Sequence, residues 1–199
     1  MANFVLCVVR AIYKLLFGKI EISGTEKIPS DRNFLVTPNH LSNFDPPLIA
    51  AFLPLEMAYM AKASLFKVPV VNWVIKAFKA FPVKHGGDIA AIKTAISILK
   101  DNRNLVIFPE GKRVRTSGTL GEGKHGAAMI AAKAGVGILP VGIETTYKLR
   151  RGVKIKIGDY IDLSEYSGKR LSAADLQNIT DKVIMPSIAG LAGAKTYGN

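Results

Sequence analysis

A histidine and an aspartate stand five residues apart in the string Asn39-His40-Leu41-Ser42-Asn43-Phe44-Asp45, between an apolar strand-like run and Pro46-Pro47. Across a turn, a carboxylate at that distance can fold back onto the imidazole. It fixes the ring tautomer and stabilises the imidazolium formed when the ring removes a proton. The chain has no serine in a G-x-S-x-G elbow, and its one cysteine, Cys7, lies in a hydrophobic stretch. His40 is therefore read as a base that activates a substrate's own hydroxyl, with Asp45 as its orienter. Ser42 lies two residues beyond the histidine, where a hydroxyl bonds turn backbone. Asn39 braces the same turn. Asp45 also stands where a helix N-cap is expected, with Pro46 at the first helical position. One carboxylate has two oxygens, so both roles are compatible.

The order strand, N-H-x-S-x-x-D, Pro-Pro, helix resembles the first signature block of the glycerolipid acyltransferases, the 1-acylglycerol-3-phosphate acyltransferase group. Three more blocks follow in the expected order: Phe81-Pro82-Val83-Lys84-His85-Gly86, Phe108-Pro109-Glu110-Gly111-Lys112-Arg113 and Ile138-Leu139-Pro140-Val141. Together they cover residues 34 to 143. Four ordered blocks are far more specific than any one of them.

The resemblance implies direct transfer of a fatty acyl group from acyl-CoA or acyl-ACP to the sn-2 hydroxyl of 1-acylglycerol-3-phosphate. Phosphatidate is the product, no acyl-enzyme forms, and the thioester is a co-substrate with no further cofactor. It also implies that Lys84, His85, Arg113 and Arg115 bind the acceptor's phosphate, with Lys62 carried over by position. Arginine suits the task because its planar fork meets phosphate oxygens two at a time. Arg113 and Arg115, two apart, face one side of an extended segment. Glu110 is expected to take a hydrogen bond from a glycerol hydroxyl, or else to pair with Lys112 or Arg113. Gly111 permits the turn beside it. Pro140 shapes the wall of the site or simply packs in a core strand. Two departures bear on the acceptor. His85 stands where the family usually has arginine, and Lys112 replaces the threonine of F-P-E-G-T-R. The Lys84-His85 pair resembles the glycerol-3-phosphate acyltransferase branch, so glycerol-3-phosphate or another lysophospholipid stays open beside lysophosphatidate.

These residues must be positioned by a chain of 199 residues, a length that suits one domain. Runs at 19–24, 33–38, 56–62, 104–108, 137–143 and 153–157 read as strands. Runs at 70–79, 88–100, 122–134 and 171–184 read as helices. That alternation predicts an α/β domain over 19–199, its mostly parallel sheet covered by helices on both faces. Signature residues that follow strands then share one sheet edge.

The charge is 27 − 15 = +12 on a chain that is 49% hydrophobic. Basic and apolar together fit a membrane phospholipid surface. Nucleic acid is disfavoured, since aromatics are 8% of the chain and lie mostly in apolar runs, not on a stacking platform. A single cysteine fits a reducing compartment without a disulfide framework. Over residues 3–17, Asn3, Cys7, Arg10 and Lys14 form one narrow helical stripe, and large apolar residues cover the remainder. Fifteen helical residues reach roughly 22 Å, short of a ~30 Å hydrocarbon core. Basic residues after the apolar run and the lack of a small-residue cleavage site argue against a signal peptide. Residues 1–18 are expected to lie in the plane of the cell membrane, peripheral on its cytoplasmic face; the competing expectation is a buried core helix. Residues 68–81 offer either a second membrane contact or core packing.

Gly118–Lys124 has Walker A spacing, but His125 stands where magnesium binding needs Ser or Thr, and no strand leads into it. It is read as a loop near the site. The three histidines are far apart and no cluster has metal-ligand spacing, so no metal is expected.

Overall fold

The computed structural model describes residues 2–83, 88–114 and 118–198. Helix α1 (Ala2–Phe17) leads into β1 (Ile20–Ser23) and β2 (Leu35–Pro38). Then come α2 (Asp45–Phe52), β3 (Met57–Lys62), α3 (Pro69–Ala77), β4 (Ala80–Val83) and α4 (Ile89–Lys100). The chain continues through β5 (Asn104–Val106), α5 (Gly126–Ala134), β6 (Ile138–Glu144) and β7 (Val153–Ile157). It closes with α6 (Ala173–Ile179), a π turn over Thr180–Ile184, and α7 (Met185–Ala192).

The seven strands form one sheet in the order β1-β7-β6-β2-β5-β3-β4. The five strands from β6 to β4 are mutually parallel, as their βα connections require. β7 pairs antiparallel with β6, and β1 runs with β7. All of β2 and six residues of β6 are buried, which explains why those segments are continuous apolar runs instead of alternating ones. One core lies between the sheet and α4–α7, and includes Leu35, Leu105, Ile138 and Ile188. The other lies under α1–α3, and includes Val36, Leu48, Ile49 and Leu139. The mostly parallel sheet with two covered faces is therefore as expected.

Element ends depart from expectation where side chains are needed elsewhere. β5 ends at Val106, so Phe108 leaves the sheet edge. The helix expected from 122 begins at Gly126, because residues 120–124 are engaged by backbone hydrogen bonds: Leu120 N to Lys195 O, Gly121 N to Glu110 and Lys124 N to Pro109 O. The last helix continues past 184 through the π turn to Ala192.

Helix α1 packs on the domain with one face, as the core-helix expectation had it, and leaves another apolar face open. Val5, Tyr13 and Phe17 are buried against the domain, while Phe4, Val8, Ile12 and Leu15 are between 41% and 69% exposed. The exposed four recur at helical spacing and form an open apolar stripe about 17 Å long. Arg10 holds the helix in place, its Nε donating to the Ala51 carbonyl in the last turn of α2. Among the described residues, no helix is long and apolar enough to cross a membrane.

Candidate active site

β2 ends at Pro38, and the next two residues are fixed by different neighbours. The Asn39 amide makes a two-bond clasp with Ile143 in β6, Nδ2 to its carbonyl at 3.0 Å and its N–H to Oδ1 at 2.7 Å. His40 is held through its backbone: its N–H donates to Glu110 Oε1 at 2.7 Å and its carbonyl accepts from Val114 N at 2.8 Å. The ring is thus placed by three strand ends, those of β2, β5 and β6.

The imidazole Nδ1 lies 2.8 Å from Asp45 Oδ2. The same oxygen accepts the N–H groups of Leu41 at 2.6 Å and Ser42 at 2.7 Å. An oxygen already facing two donors is an acceptor toward the ring, which assigns the proton to Nδ1 and leaves Nε2 with a free lone pair. Asp45 does not cap α2 as expected. It is the first helical residue, Phe44 occupies the cap position without a side-chain bond, and the carboxylate turns back over its own loop. Ser42 bonds turn backbone as anticipated, accepting from Phe44 N at 3.3 Å.

Asp45 is fully buried, and its second oxygen accepts a short hydrogen bond from the hydroxyl of Tyr147. Burial and the Asp45 charge both push the Tyr147 phenol well above its ordinary range, so it stays a donor. Tyr147 sits in an aromatic box with Tyr13 and Phe17 of α1 and Phe44. Sequence reasoning passed over this tyrosine. It lies 102 residues from Asp45 and beyond the fourth block, and its one signal is a hydroxyl-bearing aromatic just after a buried strand.

The other face of the ring stacks on Phe108, with centroids 4.2 Å apart. Together His40 and Phe108 close one end of a cavity of about 560 Å³ whose walls include Tyr59, Met60, Leu65, Val71, Val74, Ile75 and Phe78. The walls are mainly apolar, and the cation among them is Lys62, at the end of β3, whose position in the site was expected. A larger cleft of about 620 Å³ lies elsewhere, around Lys19 and Arg150, and does not include His40.

Glu110 departs from both roles foreseen for it. It is buried, and its two oxygens accept the N–H groups of His40 and, at 2.8 Å, Gly121. No ion pair joins it to Lys112 or Arg113 among the described residues. Burial raises its pKa, while those two N–H groups act against the shift. The carboxylate ties the base-bearing loop to the 118–125 loop, and so braces the site from behind. Gly121 is required there, because a Cβ would stand 2.5 Å from Val114 Cγ2 and 2.8 Å from the Glu110 carboxylate. Gly111 adopts φ +63 and makes the turn anticipated beside Glu110.

Arg113 is exposed and precedes Val114, whose N–H is bonded to the His40 carbonyl, so its backbone adjoins the loop that carries the base. Lys84, His85 and Arg115 lie outside the described residues. Pro140 is buried within β6 opposite Thr37, its carbonyl accepting from Gly158 N, and it does not line the cavity. Among the described residues, no group of three or more His, Cys, Asp or Glu could hold a metal ion.

The arrangement is a base with its lone pair free, a carboxylate behind it, and an apolar cavity beside it with Lys62 in its wall. A family model described as Acyltransferase matches residues 19–144. A protein of Streptococcus pneumoniae named 1-acyl-sn-glycerol-3-phosphate acyltransferase is 31% identical over 175 residues, covering 83% of this chain and 64% of that protein. A Borreliella burgdorferi protein of the same name is 29% identical over 180 residues, covering 83% and 72%. The crystal structure of the 1-acyl-sn-glycerophosphate acyltransferase PlsC from Thermotoga maritima superposes with a TM-score of 0.74 at 31% identity, covering 96% of this chain and 79% of that one.

Proposed function

The chain belongs to the acyltransferase family, and from that premise we propose that it acylates the sn-2 hydroxyl of 1-acylglycerol-3-phosphate to give phosphatidate. The observation that carries this reading is the free Nε2 of an Asp45-bound His40 opening on an apolar cavity. His40 takes the proton as the acceptor oxygen attacks the carbonyl carbon of an acyl thioester of CoA or acyl carrier protein. The new C–O bond forms, the C–S bond breaks, and the proton passes from the imidazolium to the leaving thiolate. Oxygen nucleophile and base belong to different molecules, so no acyl-enzyme intervenes and no resident cofactor is needed. The apolar cavity suits an acyl chain, held where the thioester meets the base.

Arg113 and Lys62 are proposed to hold the acceptor's phosphate, with Lys84, His85 and Arg115 joining them; Glu110, Gly111 and Asn39 shape the site from behind. Losing a charge-assisted bond to phosphate weakens binding by about 1.5–3 kcal/mol. Arg113→Ala is therefore expected to raise the acceptor's KM about ten- to a hundredfold and leave the donor's nearly unchanged. An equal rise in both would remove the phosphate assignment. Glycerol-3-phosphate is the competing acceptor, favoured by the Lys84-His85 pair. Initial rates on a panel of acceptors with one radiolabelled donor separate the two readings.

We further propose that residues 1–18 attach the 19–199 domain to the cytoplasmic face of the cell membrane, with the exposed stripe of α1 in the acyl boundary. Truncating α1 is a poor test, because Val5, Tyr13 and Phe17 are part of the core. Ile12→Asp with Leu15→Asp alters only exposed positions. The pair is expected to release the protein from vesicles without shifting its thermal midpoint by more than a degree or two. Unchanged cosedimentation would defeat the anchor.

A further inference from the structure

The eight residues between β6 and β7, 145–152, form a loop on the same sheet edge as the catalytic residues. It is stapled to the end of α1: Arg150 N donates to Leu16 O at 2.8 Å, and Gly152 N to Phe17 O at 2.7 Å. Internally, Thr145 Oγ1 donates to the Gly152 carbonyl and accepts from Tyr147 N, both at 3.0 Å. The loop therefore has a fixed shape, with Tyr147 and Arg150 at φ 51 and 55. Its inner side delivers Tyr147 to Asp45, and its outer side is Lys148-Leu149-Arg150-Arg151.

That outer side has an unusual composition for a place facing water. Leu149 is 69% exposed, as is Leu15 of the α1 stripe, and the residues that follow them, Arg150 and Leu16, are joined by a backbone hydrogen bond. Around it, Lys148, Arg150 and Arg151 are exposed and have no carboxylate within ion-pair distance among the described residues. The neighbouring cations are already engaged: Lys19 pairs with Glu21, and Lys154 and Lys156 pair with Glu144. The unpaired three flank this apolar tip in the chain and line the 620 Å³ cleft, in whose wall cations outnumber the carboxylates Glu21 and Glu144, and the loop that carries them is bonded to the end of α1. A headgroup layer is negative outside and apolar within, and this surface matches that order.

We propose that the 145–152 loop is a second membrane-docking element, with Leu149 entering the acyl boundary and Lys148, Arg150 and Arg151 binding anionic lipid headgroups. This rests on the membrane reading of α1 given above. The two elements meet at the α1 C-terminus and define one plane, which sets the catalytic edge toward the bilayer. A single narrow stripe holds rotation about the helix axis only loosely, and a second contact away from that axis fixes it.

The test uses the full chain and the triple variant Lys148→Gln, Arg150→Asn, Arg151→Gln. Asparagine at 150 tolerates the positive φ. Partitioning is measured by cosedimentation with phosphatidylcholine vesicles, with and without phosphatidylglycerol. Near a strongly anionic surface each cation contributes about a fivefold factor, so the variant is expected to lose roughly a hundredfold in partitioning to anionic vesicles. It should bind zwitterionic vesicles as the parent does, and high salt should erase the difference between the two proteins. Turnover of a short-chain lysophosphatidate in free solution should be unchanged. Undiminished anionic binding by the variant overturns the loop's role while leaving α1 as an anchor. Equal losses on both vesicle types overturn the charge-specific role. A raised KM for the soluble acceptor in the variant overturns it in favour of substrate binding. Failure of the parent itself to bind either vesicle removes the membrane reading and this inference with it.

Discussion

His40→Ala is expected to lower kcat at least about 10²–10⁴-fold, the usual contribution of a positioned general base. It should leave lysophosphatidate affinity within a few-fold of the parent. The two outcomes separate because the ring and its setting are held by different atoms. The loop is fixed through the His40 N–H on Glu110 and the His40 carbonyl under Val114, and both bonds survive loss of the side chain. The imidazole is 17% exposed and borders an open cavity, so its removal leaves little sealed void. A stability loss of about 1–2 kcal/mol is expected, in the ordinary range for a point substitution. The acceptor's proposed phosphate contacts and the apolar walls are untouched. What disappears is the only described imidazole at the cavity, since Asp45 is fully buried behind the ring. Single-turnover measurements with a labelled thioester, beside calorimetric titration of lysophosphatidate, check both halves. Turnover within tenfold of the parent would remove the proposed mechanism.

The parts of this site that were legible in the sequence are those whose chemistry is local. His40 and Asp45 lie within one turn, so their pairing follows from spacing. The apolar runs of β2 and β6 announce buried parallel strands. The four-block resemblance placed Glu110, Gly111 and Arg113 near them in order, and the backbone at Arg113–Val114 adjoins the loop that carries the base. Spacing could not reveal which way Glu110 points. A carboxylate at a strand end is equally suited to a substrate hydroxyl, a neighbouring cation or backbone donors, and the choice depended on Gly121 arriving from a loop eleven residues on. Tyr147 and the stacking of Phe108 on His40 were illegible for the same reason. Each depends on strands that are adjacent in the sheet and distant in the chain. Asp45 shows a related limit: a Pro-Pro helix start predicts a cap, yet the oxygen that would cap is engaged by His40, Leu41 and Ser42.

Those same bonds make Asp45→Asn the sharper probe of what the carboxylate contributes. In a dyad where either rotamer of asparagine fits, the amide nitrogen can face the ring and impose the wrong tautomer, with losses near 10⁴-fold. Here the pocket selects one rotamer. An amide nitrogen at the Oδ2 position would oppose the N–H groups of Leu41 and Ser42, whereas at the Oδ1 position it can donate to the Tyr147 oxygen. The amide oxygen therefore keeps the place of Oδ2, and Nδ1 of His40 keeps its proton. What is lost is the negative charge that stabilises the imidazolium in the transition state. That difference between a charged and a neutral acceptor amounts to about 2–4 kcal/mol, which lowers kcat roughly 30- to 1000-fold. Thermal stability should fall by about 1–3 kcal/mol, because the Leu41 and Ser42 N–H groups keep an acceptor while the Tyr147 hydroxyl proton loses Oδ1. Asp45→Ala should instead strand the two backbone N–H groups and the Tyr147 hydroxyl, at a cost of about 1–3 kcal/mol for each one that water does not reach. Equal melting midpoints for the two variants would show that the carboxylate does not organise the turn. A kcat for Asp45→Asn close to the parent's would show that its charge takes no part in the reaction.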